Sequence, residues 1–208
     1  MRFGTPCDMT DKTALLLSGG MDSVALAHWL RPTVAITIDY GQVAAEAEIR
    51  ASRKVCEELG VRHDIITINC RAIGSGDMAG MAISDCAPTS EWWPFRNQLL
   101  ITFAAARLIK MGISRLLVGS VKTDSDFADG RAGFYHMIDK LVSEQEGGVH
   151  VEAPAIEMTS DELIRKSGIG FDLLSWAHSC TRGNYACGQC RSCNKHRHVM
   201  RQLGYPEY

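Results

Sequence analysis

The segment Ser18-Gly19-Gly20-Met21-Asp22-Ser23 carries the strongest chemical signal in this chain of 208 residues. Two adjacent glycines let the backbone approach a polyanion closely, and a following helix offers unpaired N–H groups and its positive dipole end. Ser18 and Ser23 add hydroxyl donors, and Asp22 is a hard oxygen ligand suited to magnesium near phosphates. No Gly-Lys-Ser/Thr is present here, which excludes the Walker type of phosphate loop. The competing reading is an ordinary glycine-rich turn. Placement directly after the first apolar run favours phosphate binding.

A second cluster is made of sulfur. Cys180, Cys187, Cys190 and Cys193 give C-x6-C-x2-C-x2-C. Four thiolates at this spacing suit a tetrahedral zinc of the closed, structural kind, with no open position for an activated water. The alternatives are a ligand set in which His196 or His198 replaces a cysteine, and an iron–sulfur cluster. Arg182, Arg191, Lys195, Arg197 and Arg201 share the segment and most simply offset the thiolate charge, or face a partner. Cys7, Cys56, Cys70 and Cys86 share no useful spacing, and Cys56 is expected to be buried on a helix. The crowding of the other four reads as a metal site in a reducing compartment.

Asp39-Tyr40-Gly41-Gln42 follows a second apolar run, so it is expected to face the same nucleotide. Tyr40 can stack on a ring and Gln42 can hydrogen-bond a base edge. A Tyr-Gly turn needs no ligand by itself, and its weight comes from its place beside the first loop. Trp92 and Trp93, before Pro94, are either packing or the wall of an aromatic-base pocket. Met78 and Met81 read as packing.

These residues need elements to position them. Residues 13–17 form a short apolar run, followed by helical spacing through Val24, Ala25, Leu26, Trp29 and Leu30. Residues 33–38 are β-branched, 44–59 read as a helix stopped by Gly60, and 63–68 as a third strand. That β-α-β-α-β order predicts a parallel sheet with right-handed crossovers. Residues 69–91 break into Gly, Met, Ser and Asp, the pattern of a long surface loop and functional lid. A helix over 97–111, a strand over 115–118, a Gly/Asp-rich loop over 119–131 and helices over 134–146 and 160–167 follow. The architecture is doubly wound α/β, in which ligands bind beyond the carboxyl ends of the strands. The loops that begin at Ser18, Asp39, Asn69 and Gly119 all lie at that edge. Residues 1–179 are expected to be the α/β domain and 180–208 a zinc-binding segment packed on it. A net charge of -2 gives no global field to gather nucleic acid. The polar stretch 1–12 does not read as a secretory signal, and no apolar run is long enough to span a bilayer. The expectation is a cytoplasmic, single-domain protein.

The Ser18-to-Ser23 loop, Asp39-Tyr40-Gly41-Gln42, Pro94-x-Arg96-Asn97, Asp129-x-Arg131 and the cysteine array follow an order that resembles the 7-cyano-7-deazaguanine synthase family. The first loop is similar to the pyrophosphate loop (PP-loop) of enzymes that cleave ATP between its α- and β-phosphates. The resemblance spans nearly the whole chain and implies an adenine-nucleotide α-hydrolase-like fold with a C-terminal zinc knuckle. It implies ATP- and magnesium-dependent adenylation of the carboxylate of 7-carboxy-7-deazaguanine. Ammonia then gives an amide, and a second ATP gives the nitrile. It also implies a homodimer with structural zinc. Carried over residue by residue, Ser18, Asp22 and Ser23 serve catalysis. Ser18, Gly19, Gly20, Met21, Asp22, Ser23, Ile38 and Asp39 bind ATP. Tyr40, Gln42, Arg96, Asn97, Asp129 and Arg131 bind the deazaguanine, and Cys180, Cys187, Cys190 and Cys193 hold the metal. Two other functions compete. One is a paralogue that conjugates the activated deazaguanine to a protein amine in antiviral defence; the other is a non-catalytic nucleotide-binding module.

Departures from the family pattern fall around the substrate. Phe95 stands where family members usually place Gly, and Val43, Ala44 and Ala45 replace basic residues and a histidine. The Thr/Ser-Lys-x-Glu pattern reads Thr159-Ser160-Asp161-Glu162, without the lysine expected to meet phosphate, and Lys166 lies one or two turns further on. His178-Ser179-Cys180-Thr181 replaces Trp-Ser-Cys-Tyr. Activation chemistry is intact on this reading and substrate handling is altered.

Overall fold

A computed structural model describes residues 12–207. The polar stretch 1–11 with Cys7, and Tyr208 at the other end, lie outside the described residues. Five strands pair in parallel in the order β3-β2-β1-β4-β5: β1 (Thr13–Leu16), β2 (Val34–Asp39), β3 (Arg62–Thr67), β4 (Arg115–Val118) and β5 (His150–Glu152). β2 is buried up to its last residue and β1 at its two middle residues, which is why they read as continuous apolar runs rather than as alternation.

Successive side chains of a strand point to opposite faces, and that period splits the core into two layers. Ala14, Val34 and Ile36 face α4 (Arg96–Ile109) and α5 (Ala132–Ser143), where Ile101, Leu108 and Ile138 are buried. Leu15, Leu17 and Ala35 face α1 (Met21–Leu30) and α2 (Ala45–Leu59), where Val24, Leu26 and Val55 are buried. On this second face α6 (Ser160–Ser167) and α8 (Arg191–Leu203) pack through Leu163, Ile164, Val199 and Met200. The sheet is therefore covered on both faces, as a doubly wound α/β fold requires. Cys56 lies in this layer, and burial pushes its thiol up to about 11, so it is inert packing.

Chain order reverses at β1, which connects on one side to β2 and adjoins β4 on the other. That is the topological switch point, and a crevice opens there beyond the carboxyl ends. Gly19 makes the turn into it. Its φ of 75° is left-handed, and a Cβ there would stand 2.8 Å from the carbonyl oxygen of Glu48.

Four elements differ from the sequence expectation. β5 is only three residues long, too short to show a period. α8 emerges from the cysteine segment, where basic residues mask an apolar stripe at Val199 and Met200. Residues 69–91 are not a bare loop: they hold a 3-10 turn (Arg71–Ile73) and α3 (Gly76–Ala79), with Met78 and Ala79 buried. A short α7 (Phe171–Leu174) precedes the cysteines. Among the described residues no helix is long and apolar enough to cross a membrane.

Gly19→Ala is expected to destabilise the protein by about 2–4 kcal/mol, adding left-handed backbone strain to a steric clash. Urea unfolding checks this.

Candidate active site

A cleft of about 640 Å³ opens at the switch point. Its floor is the first turn of α1. Ser23 Oγ donates to the Gly20 carbonyl at 2.9 Å and lies 3.2 Å from Ser18 Oγ, while Gly20 N–H donates to Ser18 Oγ at 3.4 Å. No side chain caps the helix at Gly20, so the first-turn N–H groups stay available to an anion. The end of β4 closes in tightly: a Cβ on Gly119 would sit 3.1 Å from Ser23 Cα.

Asp22 is largely buried beside this turn. Lys195 Nζ lies 3.0 Å from Asp22 Oδ2 and 3.4 Å from Asp124 Oδ1. Burial raises the Asp22 carboxyl above its ordinary pKa, and the Lys195 charge opposes the rise. Ser160 lies close enough to favour its ionised form, yet neither Asp22 Oδ1 nor Ser160 Oγ completes a hydrogen bond of normal geometry. A carboxylate with an unused buried oxygen is chemically suited to a hard cation such as magnesium.

A second wall is aromatic and charged. Tyr40 lines the cleft, backed edge-on by Trp93 with ring centroids 4.8 Å apart. Trp93 is thus packing behind the wall. Arg96 lies beside Tyr40, with its Nη1 3.0 Å from Met78 Sδ. Glu48 faces the same space, and burial pushes its carboxyl up to about 7. Gln42 does not reach the cleft. Its Oε1 accepts from Tyr40 N–H at 2.9 Å, and its Nε2 donates to Ile38 O at 3.2 Å and Glu48 Oε2 at 2.8 Å. Gln42 therefore shapes the turn and aims Glu48, rather than presenting an amide to a base.

Of the other expected residues, Ser18, Gly20, Met21, Ile38, Asn97 and Asp129 line the cleft. Asn97 and Asp129 bind each other: Asn97 N–H donates to Asp129 Oδ2 at 3.1 Å and Asn97 Nδ2 to Asp129 O at 2.8 Å. Gly19 lies beneath the lining, and Asp39 Oδ1 is turned to Gly41 N–H at 3.0 Å. Arg131 is exposed outside the lining, its Nε donating to Ser125 O at 2.9 Å.

The cysteine segment supplies the opposite wall. Sulfurs of Cys180, Cys187, Cys190 and Cys193 lie within 4.8 Å of one another. Backbone N–H groups of Cys190 and Cys193 donate to Cys187 Sγ and Cys190 Sγ, both at 3.3 Å. Such bonds favour thiolate: the N–H groups of Gln189, at 3.5 Å, and Cys190 hold Cys187 down at about 6, whereas burial pushes Cys193 up to about 12. A four-sulfur set braced by N–H donors fits zinc of the closed kind. His196 is not part of it: its Nδ1 lies 2.8 Å from Ser179 Oγ. His198 lines the cleft instead.

Sequence reasoning missed Glu48, Glu91 and the cleft-facing stripe of α8. Arg191, Lys195 and His198 stand at helical spacing and all line the cleft. That period was the available signal. Glu91 Oε1 accepts from Thr181 Oγ1 at 3.2 Å and from Ser192 N–H at 3.1 Å, so the segment expected to be a lid is pinned to the cysteine knuckle. Arg182 adds an ion pair to Asp77 at 3.0 Å.

Residues 12–205 match the family described as queuosine biosynthesis protein QueC. A 7-cyano-7-deazaguanine synthase of Methanosarcina barkeri (strain Fusaro / DSM 804) is 30% identical over 219 residues, 93% of this chain and 95% of that one. The enzyme of that name from Chlorobaculum parvum (strain DSM 263 / NCIMB 8327) is 30% identical over 213 residues, 93% of each chain. A solved NMN synthetase from Francisella tularensis overlays at a TM-score of 0.48 with 14% identity, over 94% of this chain and 78% of that one. That likeness is too slight to bear on activity.

The raised Glu48 pKa means the folded state holds a proton that the unfolded chain releases above its ordinary value of 4.5. Its contribution is favourable below that value and is lost as pH rises through about 7. Glu48→Gln is therefore expected to be more stable than the parent by about 2 kcal/mol at pH 8, with well under half of that gain at pH 5. Denaturant titrations at the two pH values check it. Cys190→Ser is expected to abolish bound metal, read by elemental analysis of the purified protein, and to lower its unfolding midpoint.

Proposed function

This chain belongs to the QueC family, and from that premise we propose that it adenylates the carboxylate of 7-carboxy-7-deazaguanine and replaces AMP with ammonia. The amide is then dehydrated to 7-cyano-7-deazaguanine with a second ATP. The supporting observation is one cleft in which the open N-terminal turn of α1 and Asp22 face Tyr40, Glu48 and Arg96.

A carboxylate is a poor acceptor for an amine until one oxygen becomes a phosphate-type leaving group. On this reading the substrate carboxylate oxygen attacks the α-phosphorus of ATP and pyrophosphate departs. Ammonia then adds to the acyl carbon, loses a proton and expels AMP. In the second round the amide oxygen takes up AMP in the same way. Loss of that AMP and of both nitrogen protons leaves the nitrile. The chain's part is to position, to neutralise charge and to exclude water. Ser18, Ser23 and the Gly20–Met21 backbone cradle the phosphates, and Ile38 flanks the nucleotide. Asp22 would hold magnesium, whose chemistry is to neutralise charge on the departing pyrophosphate. Tyr40 offers a face for the deazaguanine ring, and Glu48 accepts from its N1–H and 2-amino edge. Arg96 meets its carboxylate or carbonyl oxygen. No nucleophilic side chain is needed. A homodimer belongs to the same reading.

A second reading, transfer to a protein amine, draws on Phe95. This side chain is 72% exposed and has a left-handed φ of 55°, immediately before Arg96. An exposed aromatic next in the chain to the cleft-lining Arg96 suits a polypeptide acceptor better than ammonia.

Metal-loaded protein incubated with ATP, magnesium, 7-carboxy-7-deazaguanine and ammonium, followed by mass spectrometry, is expected to yield nitrile and AMP. Amide or a modified protein without nitrile would instead favour conjugation. No substrate-dependent AMP would sink adenylation of this substrate. Asp22→Asn is expected to lower kcat/KM by about 100-fold or more.

A further inference from the structure

Lys195 lies two residues beyond the last cysteine of the cluster, on the face of α8 turned to the cleft. Its ammonium bridges Asp22 Oδ2, at 3.0 Å in the first turn of α1, and Asp124 Oδ1, at 3.4 Å in the segment after β4. It thus stands at the α1 turn where the polyanion would arrive. The other strong cations of the lining stand elsewhere. Arg96 is held at the Tyr40 wall, and Arg191 pairs with Asp126 and lies 5.5 Å over the Phe127 ring.

The approach from α6 carries no cation to this point. Ser160 reaches toward Asp22 with a short hydroxyl, and Lys166 lies over the Trp29 ring at 4.6 Å. α8, by contrast, is built to hold its first turns still. Cys190 Sγ caps it by accepting from Cys193 N–H, Glu91 binds Ser192 N–H, and Arg197 donates to Gly188 O at 2.7 Å. A lysine carried on such a base is pre-aimed and loses little freedom on binding an anion.

We propose that Lys195 is the triphosphate-binding cation of this site, delivered by the cysteine knuckle and not by α6. When ATP enters, the ammonium exchanges its longer contact with Asp124 for a phosphate oxygen and keeps Asp22 Oδ2, which leaves the unpartnered Asp22 Oδ1 for the metal that accompanies the nucleotide. The cysteine cluster is thereby part of the nucleotide site and not only a brace for the fold. This inference rests on the ATP-cleaving reading above.

The test is equilibrium calorimetry on the full chain with its metal, using a non-hydrolysable ATP analogue with magnesium, and AMP as the control. Lys195→Met keeps most of the stem and removes the charge. It is expected to weaken the ATP analogue by about 10- to 100-fold while AMP binding stays within about twofold. Metal content should remain near that of the parent, while the unfolding midpoint falls because Asp22 loses its buried partner. Lys195→Arg should retain most of the affinity. Lys195→Met/Ser160→Lys, which returns a cation to Asp22 from α6, is expected to regain at least about tenfold. Undiminished binding of the ATP analogue by Lys195→Met would overturn the proposal. So would an equal loss for analogue and AMP, which would mark a structural ion pair. If the unmodified chain binds no ATP analogue, the ATP-cleaving reading itself falls, and the proposal falls with it.

Discussion

The carboxyl edge of the sheet is organised around the close approach at Gly19. With no side chain there, the carbonyl of Glu48 comes to within 2.8 Å of where a Cβ would stand, which locks the start of α1 against α2. The Gly19 carbonyl accepts from His178 N–H at 2.8 Å, and that bond ties the cysteine segment to the same point. One residue therefore fixes the relative position of the phosphate-binding turn, the helix that carries Glu48 and the segment that carries Lys195.

Around that joint the protein keeps charge where folding alone would avoid it. Burial raises the pKa of both Asp22 and Glu48, so each is an uncomfortable anion in the free protein. Folding tolerates this because Lys195 answers one, and Gln42 and Arg96 answer the other. Such sites sacrifice stability for a poised charge, and perturbed groups of this kind cluster where ligands bind. The left-handed Phe95 is a further local cost, next in the chain to the cleft-lining Arg96.

The cysteine knuckle is more than a terminal brace. Its helix lines the cleft, it binds Glu91 and Asp77 from the segment that crosses over the sheet edge, and it shares the core with α1 and α6 through Val199 and Met200. Residues 69–91 consequently form a docked flap with its own buried residues. Opening it would break contacts to the knuckle, so flap and knuckle are mechanically linked.

Signals that are local in the chain were legible without the fold. The glycine pair of the first loop, the cysteine spacing and the alternation of apolar runs with helical periods depend on near neighbours alone. They led to the parallel doubly wound sheet, the cleft at its carboxyl edge and the four-sulfur cluster. Even there, β5 escaped notice because three residues show no period. Direction and partnership could not be read locally. Gln42 turns inward, and Trp93 packs behind Tyr40 instead of walling the pocket. Arg131 stays outside the lining, while Glu48 and Lys195 enter it. Residue type and spacing are properties of the chain. Which acid meets which cation depends on distances between elements far apart in sequence, and only packing on the sheet sets those distances.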